Sequence, residues 1–147
     1  MRKLTKIEQV NADALGDAAL FHVTGTILNK NIQDCNAALR DLLKREGVID
    51  YAELNPGDKV TLEGIYRDGT ETTISAYRAK TRGDKRIWFN GLKNHADAGD
   101  VMALVIRSGK LVIQNVTKGA AVAVFAIPAI DTMVQMSLPV AGAILSI

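Results

Sequence analysis

The chain has little of what soluble enzymes most often work with. Its 147 residues include one cysteine, Cys35, and two histidines, His22 and His95. A single cysteine excludes an internal disulfide and fits a reducing compartment. Its place within a helical apolar pattern reads as a small core residue rather than a nucleophile. There is no Gly-rich phosphate loop, no paired-Cys metal site and no His-Glu-x-x-His motif. The net charge is only +2, so a wholly basic, histone-like binder is excluded and any nucleic-acid surface must be local. Met1, Arg2, Lys3 and Lys6 are not followed by an apolar run of signal-peptide type, so secretion is not indicated and the chain reads as cytoplasmic.

What is present is ordinary in bulk and uneven in distribution. A composition 48% hydrophobic and 23% charged suits one soluble domain, long enough to bury most of a core. Between residues 46 and 71 lie Glu46, Asp50, Glu53, Asp58, Glu63, Asp68 and Glu71, against only Lys59 and Arg67. From Tyr77 to Lys93 the balance reverses: Arg78, Lys80, Arg82, Lys85, Arg86 and Lys93 face one acid, Asp84, and the only tryptophan, Trp88. Gly83-Asp84 is a turn signal between two β-prone runs, which predicts two strands joined by a short basic arm. Cations clustered on a β-ribbon suit a polyanion such as the DNA backbone, because they release its condensed counterions. They equally suit a solvated hairpin whose charges keep a sheet edge from pairing.

Residues 1–19 read as a partly helical lead-in anchored by Leu4, Ile7, Val10 and Leu15, and Ala19 to Leu28 as a first strand. The clearest helix follows. Asn31 is its expected N-cap, Asp34 sits in its first turn, and Ile32, Cys35, Leu39, Leu42 and Leu43 make its apolar stripe. Lys44, Arg45 and Gly47 stop it. Asn55-Pro56-Gly57-Asp58 is a turn into a strand from Lys59 to Arg67, and Asp68-Gly69 is a hairpin into Thr70 to Lys80. The arm then leads to a strand over Lys85 to Asn90. Ala98-Gly99-Asp100 turns into Val101 to Arg107, and Ser108-Gly109 into Leu111 to Val116. The expected fold is mixed α/β and mainly antiparallel: an open pseudobarrel of about seven short strands with flanking helices over residues 1–118.

Residues 119–147 hold one charge, Asp131, among apolar residues broken by Pro128 and Pro139. The stretch is long enough to span a membrane, but its prolines and the central Asp131, Thr132, Gln135 and Ser137 argue against that. It reads instead as a segment packed on the domain or on a further domain or subunit. No catalytic set emerges. Asp97 and Asp100 beside His95 are explained by turn formation. A nuclease built on Asp68, Glu71 and Lys80 lacks its second carboxylate, since Arg78 and Ala79 occupy that position. No cofactor or metal is expected.

The order of helix, Asn-Pro-Gly-Asp turn, Asp-Gly hairpin, basic arm, Arg86-Ile87-Trp88-Phe89-Asn90-Gly91-Leu92 and a Gly99-Asp100 turn resembles the DNA-binding pseudobarrel family. That family includes plant transcription-factor domains and the specificity or effector domains of some restriction endonucleases. The likeness covers roughly Ala19 to Val116 and is most specific from Thr72 to Leu104. It implies an open barrel gripping the DNA major groove with two arms. The second arm would comprise Tyr77, Arg78, Lys80, Thr81, Arg82, Lys85 and Arg86, with Arg reading guanine edges and Lys anchoring phosphate. The first would lie near Thr24 to Gln33, where Thr26, Asn29, Lys30, Asn31 and Gln33 are the polar candidates on a stretch shorter than the family's usual loop.

The resulting expectation is a non-catalytic module that binds double-stranded DNA, in a restriction or transcription-regulating protein. The alternative is a structural or assembly subunit that oligomerises through its apolar C-terminal segment. Removing Arg78, Lys80, Arg82 or Arg86 is expected to weaken binding and leave folding nearly unchanged, whereas Trp88→Ala should destabilise the fold.

Overall fold

The computed structural model describes residues 1–119, so the apolar segment that follows lies outside the described residues. In chain order the elements are α1 (Lys6–Leu15), β1 (Ala19–His22), α2 (Gly25–Lys30), α3 (Ala37–Arg45), β2 (Lys59–Tyr66), β3 (Glu71–Arg78), β4 (Lys85–Phe89), β5 (Val101–Arg107) and β6 (Lys110–Asn115). Short 3-10 turns at Tyr51–Glu53 and Leu92–Asn94 complete them.

Turn chemistry places the strands. Gly57 takes φ +93° after Pro56, and the Asp58 amide donates to Asn55 O at 2.9 Å, closing the turn into β2. Gly69 (φ +95°) turns β2 into β3, and the Tyr66 amide donates to Thr70 O at 2.8 Å. The strands form one six-stranded sheet in the order β1-β5-β6-β2-β3-β4. Pairing is antiparallel except between β2 and β6, which run parallel with Gly64 opposite Leu111 and Tyr66 opposite Ile113.

The sheet curls into an open half-barrel. Its concave side gathers Phe21, Ile74, Ile87, Phe89, Met102, Leu104 and Ile113 into one buried cluster with Leu39, Leu42 and Leu43 of α3. That cluster takes residues from both edge strands, β1 and β4, which a flat sheet would hold five strand spacings apart, about 24 Å. A second cluster of Leu15, Ile65, Val101, Ala103, Val105, Val112 and Val116 lies on the convex side. Strands buried on both faces explain why β5 reads as a continuous apolar run rather than an alternation.

Several expectations need correction. The described residues form six strands where about seven were expected; residues near 34 contribute only a single bridge, Asp34 to Arg86, on the outer edge of β4. The first strand stops at His22, and residues 25–30 form a helix although Thr26, Ile27 and Leu28 favour strands. The local reason is capping: the Thr24 hydroxyl accepts from the Ile27 amide at 3.1 Å, and Asn31 at φ +55° ends the turn. Asn31 is thus the C-cap of α2, and Asn36 is the N-cap of α3. Ile32 is 40% exposed and does not join the helical stripe, which begins effectively at Cys35 and Leu39. In α1 the buried positions are Glu8, Asn11, Ala12 and Leu15, while Ile7 and Val10 face solvent. No helix among the described residues is long and apolar enough to cross a membrane.

Candidate nucleic-acid interface

The basic arm is a tight loop, not a long projection. The Ala79 amide donates to Asp84 O and the Gly83 amide to Ala79 O, both at 2.9 Å, so residues 79–84 close on themselves between β3 and β4. Arg78 holds this loop from within. Its Nε donates to Gly83 O and its Nη1 to Leu54 O, each at 2.8 Å. Its backbone is fixed as well, donating to Asp58 O at 3.0 Å and accepting from the Gly57 amide at 2.8 Å. Gly83 is required there, because it takes φ +71° and an added Cβ would lie 2.6 Å from the Arg78 guanidinium. Arg78 is therefore a strut between the Pro56 turn and the arm, with much of its donor capacity spent on backbone carbonyls.

The remaining arm residues divide by exposure. Lys80, Thr81, Arg82 and Lys85 are exposed, and the Arg82 side chain keeps 78% of its surface open while its Nη2 donates to Asp84 Oδ2 at 3.1 Å. Arg86 is more enclosed. It donates to the same Asp84 oxygen at 3.0 Å, and its Nε, buried without a hydrogen-bond partner, sits 3.8 Å from Asp34 Oδ1. The hydrogen bond from Arg86 holds the Asp84 carboxyl below its ordinary range, and the same bond raises the Arg86 guanidinium. Tyr77 lies beside Arg86 and Lys59 on the convex face of the sheet, half-buried. Trp88 pairs with Ser75 on that face, also half-buried and packed at the margin of the main core. It does not belong to the convex-side cluster.

Asn29, Lys30 and Asn31 are exposed on α2 and its cap, a six-residue helix and not an extended loop. What the structure does bring to the basic loop is the start of α3. The segment after Asn31 runs along β4: the Cys35 amide donates to Lys85 O at 2.9 Å, and Gln33 O accepts from the Ile87 amide at 3.0 Å. An open groove results, lined by Asp34, Cys35, Asn36, Arg40, Arg82, Asp84 and Lys85. Arg40 was not legible as a site residue, since it reads as one more charge on the polar side of a helix. Its Nη1 donates to Cys35 O at 2.5 Å, which turns the guanidinium back toward the helix start. Burial pushes the Cys35 thiol up to about 11, which suits a packing residue rather than a nucleophile.

The catalytic alternatives come apart geometrically. Asp68 and Glu71 stand at one end of β3 and Lys80 beyond the other, more than about 20 Å away along an extended strand. Asp68 Oδ1 accepts from the Thr70 amide at 2.9 Å, a turn-forming role. His95 stacks on Tyr66 with ring centroids 3.6 Å apart and has Nδ1 3.7 Å from Asp68 Oδ2. Asp100 accepts from the Asp97 amide at 2.9 Å and from Asn115 Nδ2 at 2.8 Å, closing the turn into β5. Among the described residues no group of three or more His, Cys, Asp or Glu side chains is placed to hold a metal ion. Comparison with protein-family models, with curated proteins and with solved structures found no match to this chain.

Proposed function

We propose that the chain is a non-catalytic module that binds double-stranded DNA through the loop between β3 and β4, in a recognition or regulatory setting. The observation that carries this reading is the division of labour in the loop. Arg78 fixes the backbone through Gly83 O and Leu54 O, and that leaves Lys80, Arg82 and Lys85 exposed on a rigid support. Cations held in place lose less conformational entropy on meeting a phosphate backbone than cations on a mobile tail. The strand, basic loop and strand order shared with the DNA-binding pseudobarrel supports the same reading. In it, Lys80 and Lys85 contact phosphate, Arg82 is placed to reach a base edge or phosphate, and Arg78 acts as the loop's support.

The test is a salt titration of the protein's affinity for a random-sequence duplex, read by fluorescence anisotropy. Wild type should bind at low salt, with log K falling linearly against log salt at a slope of about −0.9 per neutralised phosphate. Replacing Lys80, Arg82 and Lys85 together with Gln should remove most of that slope while the thermal midpoint stays put. A triple variant that binds as wild type does, or a wild type that ignores duplex at low salt, removes the reading. Concentration-dependent self-association indifferent to salt would favour the assembly alternative.

A further inference from the structure

We infer that the groove between the start of α3 and the outer edge of β4 seats a phosphate group, with Arg40 as a ligand that the basic loop lacks. The inference rests on the proposed DNA-binding reading only for the source of the phosphate, not for its chemistry. Three cations from three elements border one concavity: Arg40 from α3, Arg82 from the loop and Lys85 from β4. Arg40 commits one nitrogen to Cys35 O, Arg82 one to Asp84, and the Lys85 ammonium has no hydrogen bond or ion pair among the described residues. The groove also borders the first turn of α3, where the backbone dipole adds partial positive charge.

Two carboxylates, Asp34 and Asp84, share the lining and must be reckoned with. Both are partnered by one guanidinium, that of Arg86. Asp84 bonds Arg86 at 3.0 Å in addition to Arg82, and Asp34 lies 3.8 Å from Arg86. A phosphate that draws Arg82 away from Asp84 therefore leaves Asp84 paired with Arg86. Counting Arg40, Arg82, Lys85 and Arg86 against the two acids leaves two positive charges, 4 − 2, to meet the anion. A tetrahedral oxyanion is the class that suits this set, because guanidinium forks and an ammonium offer converging donors and no acceptor. The phosphodiester of a nucleic-acid backbone and a free phosphate monoester share that chemistry, so the experiment must separate them.

Two measurements on wild type, Arg40→Gln and Lys85→Gln do so. The first compares thermal midpoints in inorganic phosphate and in chloride at matched ionic strength. Wild type should gain several degrees in phosphate, and both variants should lose that gain; Lys85→Gln guards against a fold defect from losing the Arg40 bond to Cys35 O. The second is the duplex salt titration, in which each variant should lower the slope by about one unit if the phosphate is a backbone phosphate. A phosphate-specific gain with duplex slopes unchanged would assign the groove to free phosphate. A gain in a wild type that binds no duplex would sink the DNA-binding reading and keep this one. Equal midpoints in phosphate and chloride, with Arg40→Gln binding duplex as wild type does, would overturn the phosphate seat while leaving the DNA-binding loop intact.

Discussion

Phe21 and Phe89 sit on the two edge strands of the sheet, β1 and β4, yet their rings stack 4.9 Å apart and 7° from parallel. The contact spans the open side of the half-barrel, so it reports curvature rather than neighbouring strands. Both side chains are fully buried, at 1% and 0% exposure. Truncating either to Ala should cost about 3–5 kcal/mol by lost burial and a residual cavity. The double variant should cost less than the sum by about 0.5–1.5 kcal/mol, the usual worth of an aromatic pair. Urea unfolding of the four proteins measures this, and strict additivity would show that the stacked rings contribute no coupling between the edges.

Arg78 and Lys80 stand two residues apart and should behave oppositely. Arg78→Ala removes two hydrogen bonds to backbone carbonyls and unties the Pro56 turn from the loop. Leaving partly buried carbonyls without donors costs about 1–3 kcal/mol. Lys80→Ala removes an exposed charge and should change stability by less than about 0.5 kcal/mol. Paired denaturation curves decide it. For Arg78 this replaces the expectation of nearly unchanged folding with one of destabilisation, because its guanidinium bonds Leu54 O, which is distant in sequence.

How far the sequence foretold the fold follows from how local each cause is. The turns at Pro56-Gly57, Asp68-Gly69, Gly99-Asp100 and Ser108-Gly109 were legible because the residue at the turn carries the geometry itself, and four strands followed from them. The parallel contact of β2 with β6 was not, since it joins residues some 47 positions apart (Gly64 with Leu111) and leaves no periodic trace. α2 was misread as strand because a six-residue helix is decided by Thr24 and Asn31 at its ends more than by its β-favouring interior. The candidate site was half legible. Its charge density showed, but Arg40 and the groove exist only because residues 33–36 lie along β4.

Glu8 is fully buried yet ionised. Arg2 grips it with two hydrogen bonds at 2.7 and 2.5 Å, Thr117 Oγ1 donates at 2.6 Å and the Thr5 amide at 2.8 Å. The Arg2 bonds above all hold its carboxyl far below the ordinary value of 4.5. The unfolded chain therefore binds the proton more readily than the folded one, and stability must rise with pH across that interval. Its contribution is complete above about pH 5–6 and drains away as pH falls through and below 4.5. Glu8→Gln should be less stable at neutral pH, and its deficit against wild type should shrink steadily in acid. A deficit constant from pH 7 to pH 3 would mean that packing, not charge, holds the N-terminal segment.

Asn36 performs two tasks with one amide. Its Oδ1 accepts from the Leu39 amide at 2.8 Å and caps α3, while its Nδ2 donates to Leu20 O on β1 at 3.0 Å. The preceding residues are hydrogen-bonded to β4, so this side chain is where the strap along one sheet edge reaches the other. Asn36→Ala should lose both bonds and cost about 1–3 kcal/mol, the sum of a cap and an ordinary hydrogen bond. Asn36→Asp separates them. A carboxylate caps a helix as well as an amide does and favours the dipole, so capping alone predicts equal or greater stability. The link to Leu20 O predicts the reverse, because Asp has no donor and sets a negative charge against a carbonyl oxygen. We expect Asn36→Asp to be destabilised by about 0.5–1.5 kcal/mol, less than Asn36→Ala but in the same direction. An Asp variant as stable as wild type in urea would show that α3 is capped at Asn36 and that the barrel closes without it.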